Sequence, residues 1–295
     1  MTYIIENANV LKNNELIRTS LLVNGEKITS VQPSFSKYRY IRMDLKEFIM
    51  TPTYVFLLHQ LPNQKDGYSK KNDLLQRFLL KGCTTVIAVE KVMYLNELLE
   101  KRESIRRFFH HTPMDYVAAV RIPIRLLTVP FIQTCKREKI PAIFVEFQDK
   151  RDLYKIPWGW IREALFPYNC PLIPAPAKDE PKLLETWQFV MEKEKIPHIT
   201  EPLKEGEPIP IDVLKKIGIY PLKGYLQTGG ELSYNLFLTD DNQWIVEKGK
   251  PITLERSNLV ITVHKGEIIR VKNTFFYNPN KGEEIIIHRP SFFQS

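Results

Sequence analysis

The apolar pattern of this chain changes character twice, and that change constrains its fold more than any other feature. Residues 1–50 run in short alternating segments, such as Tyr3-Ile4-Ile5, Ser20-Leu21-Leu22-Val23 and Lys27-Ile28-Thr29-Ser30-Val31, broken at Asn13-Asn14 and Asn24-Gly25. Alternation with Asn-Gly punctuation predicts antiparallel hairpins. From about Gly224 the same pattern returns, in Asn235-Leu236-Phe237-Leu238, Trp244-Ile245-Val246, Leu259-Val260-Ile261-Thr262-Val263 and Ile268-Ile269-Arg270-Val271. Between the two flanks, short apolar runs alternate with amphipathic stretches, the mark of parallel βα units.

In that central part the expected strands are 53–58, 84–89, 116–121, 142–147, 171–173 and 197–200, and the expected helices are 71–80, 95–109, 130–138, 158–166 and 183–194. The last helix carries Leu183, Leu184, Trp187, Val190 and Met191 on one face behind Asp179-Glu180-Pro181, an acidic start marked by proline. A complete eightfold barrel needs roughly 200 residues or more. The central part, residues 51–214, is shorter and yields six strands, so about two βα units are missing or reduced. Strand edges left open in this way require cover by other structure, by a second copy, or by closure on fewer strands.

Composition excludes several classes. The 295 residues are 43% hydrophobic and 26% charged, values of an ordinary globular chain rather than a disordered or collagen-like one. Cys83, Cys135 and Cys170 have no metal-type spacing and are expected to be buried thiols. The opening segment carries Glu6 and several Asn within its apolar residues, unlike a signal peptide, and no apolar run approaches membrane-spanning length. A cytoplasmic chain without a membrane partner is the expectation. The net charge of +8 permits polyanion binding. However, Lys101, Arg102, Arg106 and Arg107 are interleaved with Glu97, Glu100 and Glu103 at helical spacing, which suits a solvated helix face, and Arg121, Arg125, Lys136 and Arg137 bring no nucleic-acid motif with them.

Three groups of residues carry a family resemblance. They are Ile4-Ile5-Glu6-Asn7-Ala8 with Val23-Asn24-Gly25-Glu26-Lys27-Ile28 and Met43-Asp44; then Lys81-Gly82-Cys83-Thr84-Thr85-Val86; and finally Gly218 to Gly224, Gly229-Gly230 and Val263-His264-Lys265-Gly266-Glu267. In order and spacing they resemble the amidohydrolase superfamily, in particular its dihydroorotase, allantoinase and hydantoinase-like branch. The resemblance implies an α/β chain: a reduced TIM-like (β/α) barrel over residues 51–221, inserted into a small β domain built from 1–50 and 222–295.

The chemistry implied by that resemblance is metal-assisted hydrolysis of C–N bonds in amides or cyclic imides, with Asp-x-His-x-His closing the first barrel strand. Two imidazoles two residues apart on a strand project to one side and can clamp a divalent ion. Aligned from Pro52, this chain has Phe56 for the Asp, Leu58 for the first His and Gln60 for the second, with His59 on the opposite face. Glu146 matches the carboxylate expected on the fourth strand, and His198 echoes a histidine of the sixth. One Glu and one His fall short of the three protein ligands usual for a hydrolytic ion.

The candidate barrel-mouth residues are therefore Gln60, Glu146 and His198, with no catalytic assignment and no metal or other cofactor. The expected role is binding a small molecule or a protein, with dimerisation favoured by the open edges. Two other readings stay open: a divergent C–N hydrolase using Glu146 and His198, and a polyanion-binding module. Cys83 is expected to pack as a small apolar residue, His110-His111 to sit at a helix end, Gly229-Gly230 to form a turn, and at least one of Trp158 and Trp160 to be buried.

Overall fold

The computed structural model describes residues 1–12, 15–62, 67–177, 180–238, 254, 258–276 and 278–291. The expected turn at Asn13-Asn14 and strand at 244–246 lie outside them. In chain order the elements are β1 (Thr2–Lys12), β2 (Glu15–Asn24), β3 (Lys27–Gln32), β4 (Ile41–Asp44), β5 (Phe48–Pro52), β6 (Tyr54–Leu58), α1 (Gly67–Leu79), β7 (Cys83–Lys91), α2 (Leu98–Phe109), β8 (Asp115–Pro123), α3 (Val129–Arg137), β9 (Ile143–Phe147), α4 (Lys150–Tyr154), α5 (Trp158–Leu165), β10 (Leu172–Pro176), α6 (Pro181–Lys193), α7 (Ile211–Ile217), β11 (Tyr234–Leu238), β12 (Leu259–His264), β13 (Glu267–Val271) and β14 (Thr274–Phe275). Among the described residues no helix is long and apolar enough to cross a membrane.

The chain divides into two compact units. One comprises Met1–Tyr54, Tyr68–Thr84 and Pro221–Asn278, and the other Val55–Gly67, Thr85–Tyr220 and the residues from Pro279 onward. Two placements differ from the expected boundaries: α1 and its following turn fall in the first unit, and the segment after Asn278 falls in the second.

The first unit is a sheet made from both flanks, in the order β14-β13-β12-β11-β5-β1-β2-β3, with β4 beside β1. Its hairpins are antiparallel, as the alternation predicts, but β1 pairs in parallel with both β4 and β5. The core on its packed face includes Ile5, Leu21, Val23, Met50, Tyr234 and Leu236. The two Gly-containing turns behave as read: Gly25 (φ +60°) follows β2, and Lys265-Gly266, both at positive φ, link β12 to β13 as a two-residue hairpin. A Cβ on Gly266 would stand 2.8 Å from the Gly25 carbonyl oxygen, so only glycine fits there. Gly82, in the Lys81-Gly82-Cys83 motif, has φ +75° and lies against Asn235, whose Nδ2 donates to the Gly82 oxygen at 3.0 Å. The closing motif residues form a buried polar tie across this sheet. Lys223 Nζ is 2.5 Å from Glu231 Oε2, Ser233 bonds to Glu231, and Ser233 Oγ lies 3.2 Å from His264 Nδ1.

The second unit is built on five parallel strands, β10-β9-β8-β7-β6, curled into a half-barrel. Its inner core takes Val55 and Leu57 from β6, Ile87 and Val89 from β7, Val117 and Ala119 from β8, Phe144 from β9 and Ile173 and Ala175 from β10. Each pair is spaced by two, as strand geometry requires of one face. Both edges are met by one segment. Leu172 donates to the Pro197 oxygen and Ile199 to the Leu172 oxygen, extending the sheet past β10 through a bridge at His198. Farther along, Gly206 and Ile209 donate to the Leu57 and Val55 oxygens of β6. Residues 197–209 thus satisfy edge groups on both sides of a barrel reduced in strand number.

Helices cover the outside. α6 begins at Pro181 and buries Leu183, Trp187, Val190 and Met191, the face read from the sequence. Trp187 is stacked on Phe147 at 5.3 Å, and its indole donates to the Ile199 oxygen at 2.9 Å. Burying such a ring contributes roughly 2–3 kcal/mol. Trp158 is buried and bonded to the Leu153 oxygen, whereas Trp160 is exposed. The segment after Asn278 runs beside the start of β8. Glu283 and Tyr116 share a backbone bond, Ile287 enters the inner core, and Glu284 receives Arg102 at 3.0 Å and Arg106 at 2.8 Å. With Lys101 on Glu90 and Arg102 also on Glu138, much of the central basic cluster is internally neutralised. All three cysteines are free and buried, and burial pushes the Cys170 thiol up to about 12.

Candidate functional site

Inward-facing positions at the C-terminal ends of the parallel strands define the mouth of the half-barrel, where sites on barrel folds are built. Continuing each inner row by two residues gives His59 after β6, Lys91 at the end of β7, Arg121 on β8 and Glu146 on β9. Lys91 Nζ stands 2.7 Å from Glu146 Oε2, and Arg121 Nε stands 3.3 Å from Glu146 Oε1. One carboxylate is therefore shared by two cations.

Beside this cluster opens a cavity of about 710 Å³, with His59, Arg121, Phe144 and Pro174 toward its floor and Glu185, Gln188, Glu201 and Lys204 on exposed parts of its lining. The His59 ring is half-buried and packs edge-to-face on Phe144 at 6.0 Å. Its Nε2 lies 3.2 Å from the Leu203 carbonyl oxygen, which can only accept, so the proton resides on Nε2. The buried Nδ1 meets no hydrogen-bond partner among the described residues. Burial first, and the Arg121 charge second, hold His59 below its ordinary pKa of 6.5.

The sequence-derived residues are dispersed. Glu146 sits at the mouth as expected. Gln60 is exposed and is not among the cavity-lining residues. His198 alternates with inward-facing Ile199 and projects from the other side of its segment, its Nδ1 2.9 Å from the Ile196 oxygen. The expected strand register also needs correction. Val55 and Leu57 belong to the inner core and His59 lines the cavity, so the row Val55, Leu57, His59 faces inward in place of Phe56, Leu58 and Gln60. All four residues Val55 to Leu58 are buried, so burial itself leaves no polar alternation from which to choose a face.

Lys91, Arg121 and Phe144 are mouth residues that the sequence reading does not assign. A signal for two of them existed: Lys91, Arg121 and Glu146 each follow an apolar run near the C-terminal end of a parallel strand.

The two half-buried histidines give the unit an acid sensitivity. Burial lowers the pKa of both His59 and His198, so the unfolded chain binds protons more readily than the folded one. Their contribution is complete above 6.5 and is lost as pH falls from that value through the lower folded values. Thermal melts between about pH 7 and about pH 5 should show a falling midpoint, and a His59→Gln, His198→Gln double variant should show a flatter slope. An unchanged slope in the variant would place the acid sensitivity elsewhere.

No protein-family model matches the sequence, and no curated protein matches it. Among solved structures, the chain is similar to the dihydropyrimidinase from Brevibacillus agri NCHU1002, with a TM-score of 0.65, 10% identity and full coverage of both chains. It is also similar to a D-hydantoinase, with a TM-score of 0.64, 12% identity and full coverage of both chains. The L-hydantoinase from Arthrobacter aurescens gives a TM-score of 0.61 at 11% identity, over 97% of this chain and 100% of the other. The chain thus shares its fold with these dihydropyrimidinase and hydantoinase structures.

Proposed function

We propose that this hydantoinase-like chain binds a small organic molecule at its barrel mouth and does not carry out metal-dependent hydrolysis of cyclic amides. The observation that carries this reading is the inward row of β6. A divalent ion held there needs two imidazoles, and the row offers Leu57 and a single His59. Glu146, the carboxylate nearest in role to a metal ligand, is already engaged by Lys91 and Arg121. These residues do not fit the ion implied by the fold. The cavity, at about 710 Å³, is within the roughly 300–1,000 Å³ usual for small-molecule sites.

Acid–base work shared by Glu146 and His198 finds no support in the geometry, because His198 is turned toward the Ile196 carbonyl and is not among the cavity-lining residues. Elemental analysis of the dialysed protein, with assays on hydantoin and dihydrouracil in added zinc or manganese, is the test. The expected result is metal well below one ion per chain and no turnover above buffer. A retained stoichiometric ion accompanied by turnover would overturn the proposal.

A further inference from the structure

We infer that the cavity at the barrel mouth takes a small carboxylate monoanion, its carboxylate held by the outer edge of the Arg121 guanidinium and its apolar body lying against Phe144 and Pro174. This deepens the binding role proposed above and rests on it. Arg121 projects inward from β8 and lines the cavity. Its Nε is buried toward Glu146 at 3.3 Å, without hydrogen-bond geometry, and its side chain is 29% exposed. Among the described residues no acceptor meets its two terminal nitrogens. A guanidinium held at one edge and open at the other presents a planar pair of donors, the match for a carboxylate.

The surroundings define the rest of the ligand. Phe144, Pro174 and Ala175 give the buried lining an apolar character beside Arg121. His59 is neutral and its one N–H is committed to Leu203, so it adds no second positive charge. On the exposed lining, Glu185 and Glu201 offset Lys204. A polyanion would gain one fixed cation and face two carboxylates, whereas a monoanion with an apolar body meets complementary groups. Lys91 shares the Glu146 carboxylate with Arg121, so that carboxylate only partly offsets the Arg121 charge that a ligand would meet.

Ligand-detected NMR titration of the full chain with benzoate, its neutral counterpart benzamide, and inorganic phosphate is the experiment. Benzoate should bind about tenfold more tightly than benzamide and phosphate, and Arg121→Gln should weaken benzoate by about tenfold or more. Glu146→Gln should strengthen benzoate severalfold, because it removes the internal carboxylate competing for Arg121, an effect that damage to the fold would not produce. Equal binding of benzoate and benzamide, tighter binding of phosphate, or weaker benzoate binding in a folded Glu146→Gln variant would each overturn the carboxylate assignment and leave the binding role standing. Absence of binding by all three probes, together with metal-dependent turnover, would overturn the binding role itself. Should Arg121→Gln fail to fold, the benzoate–benzamide comparison and the Glu146→Gln variant still decide.

Discussion

A chain ending at Gly230 should aggregate in solution and should lose its cooperative thermal transition. β11 lies in the middle of the terminal sheet, paired with β5 from Tyr234↔Pro52 to Leu238↔Phe48 on one side and with β12 on the other. Its removal with β12 to β14 strips Leu232, Tyr234, Leu236 and Val263 from the core and leaves β5 as an apolar edge bearing buried Ile49 and Met50. Such an edge templates association with other chains. The barrel unit is injured independently, since the truncation removes Ile287, 2% exposed, and the Glu284 carboxylate bonded to Arg102 and Arg106. Large apolar deletions of this kind cost about 2–5 kcal/mol each, against total stabilities of about 5–15 kcal/mol. Size-exclusion chromatography and circular dichroism melts check this. A truncation that stays unaggregated and melts cooperatively would contradict the composite sheet.

Rebuilding the metal-binding strand motif in the register that the structure defines, Val55→Asp with Leu57→His beside His59, should give no hydantoinase activity and should severely destabilise the protein. Val55 is 2% and Leu57 0% exposed, and both lie in the inner core. Replacing Leu57 loses about 2–3 kcal/mol of apolar burial, and each new polar group without a partner costs about 1–3 kcal/mol more. The total approaches the stability of a typical domain. The variant would also lack a free bridging carboxylate, because Glu146 remains paired with Lys91 and Arg121. Denaturant titration and hydantoin hydrolysis with added zinc provide the measurements. A stable variant with metal-dependent turnover would show that the barrel mouth tolerates an ion.

Much of the architecture was legible because it depends on local rules. The hairpin at Asn24-Gly25, the turn at Lys265-Gly266 and the apolar face of α6 each follow from a turn type or a helical period contained within a few residues. Alternation with amphipathic helices marked the parallel strands, and the deficit in length marked a reduced barrel. The site was less legible. Glu146 is legible because a charge ends its apolar strand, but Gln60 and His198 rest on a register and a motif echo that the structure does not bring to the cavity.

What the sequence by itself determined is the class of most elements, since alternation, capping and turn residues act over a few positions; α4 and α7 are not among the expected helices, and the expected strand at 197–200 is a single bridge. Only the tertiary structure decided which face of β6 turns inward, because Val55 to Leu58 are buried on both sides and offer no polar contrast. It alone decided that residues 197–209 meet both edges of the half-barrel, and that the segment after Asn278 belongs with the barrel rather than with the sheet that precedes it. It also set Arg121 and Lys91 on one carboxylate, Glu146. Those outcomes depend on contacts between residues far apart in the chain, whose energies are settled by packing and edge hydrogen bonds that no local pattern encodes.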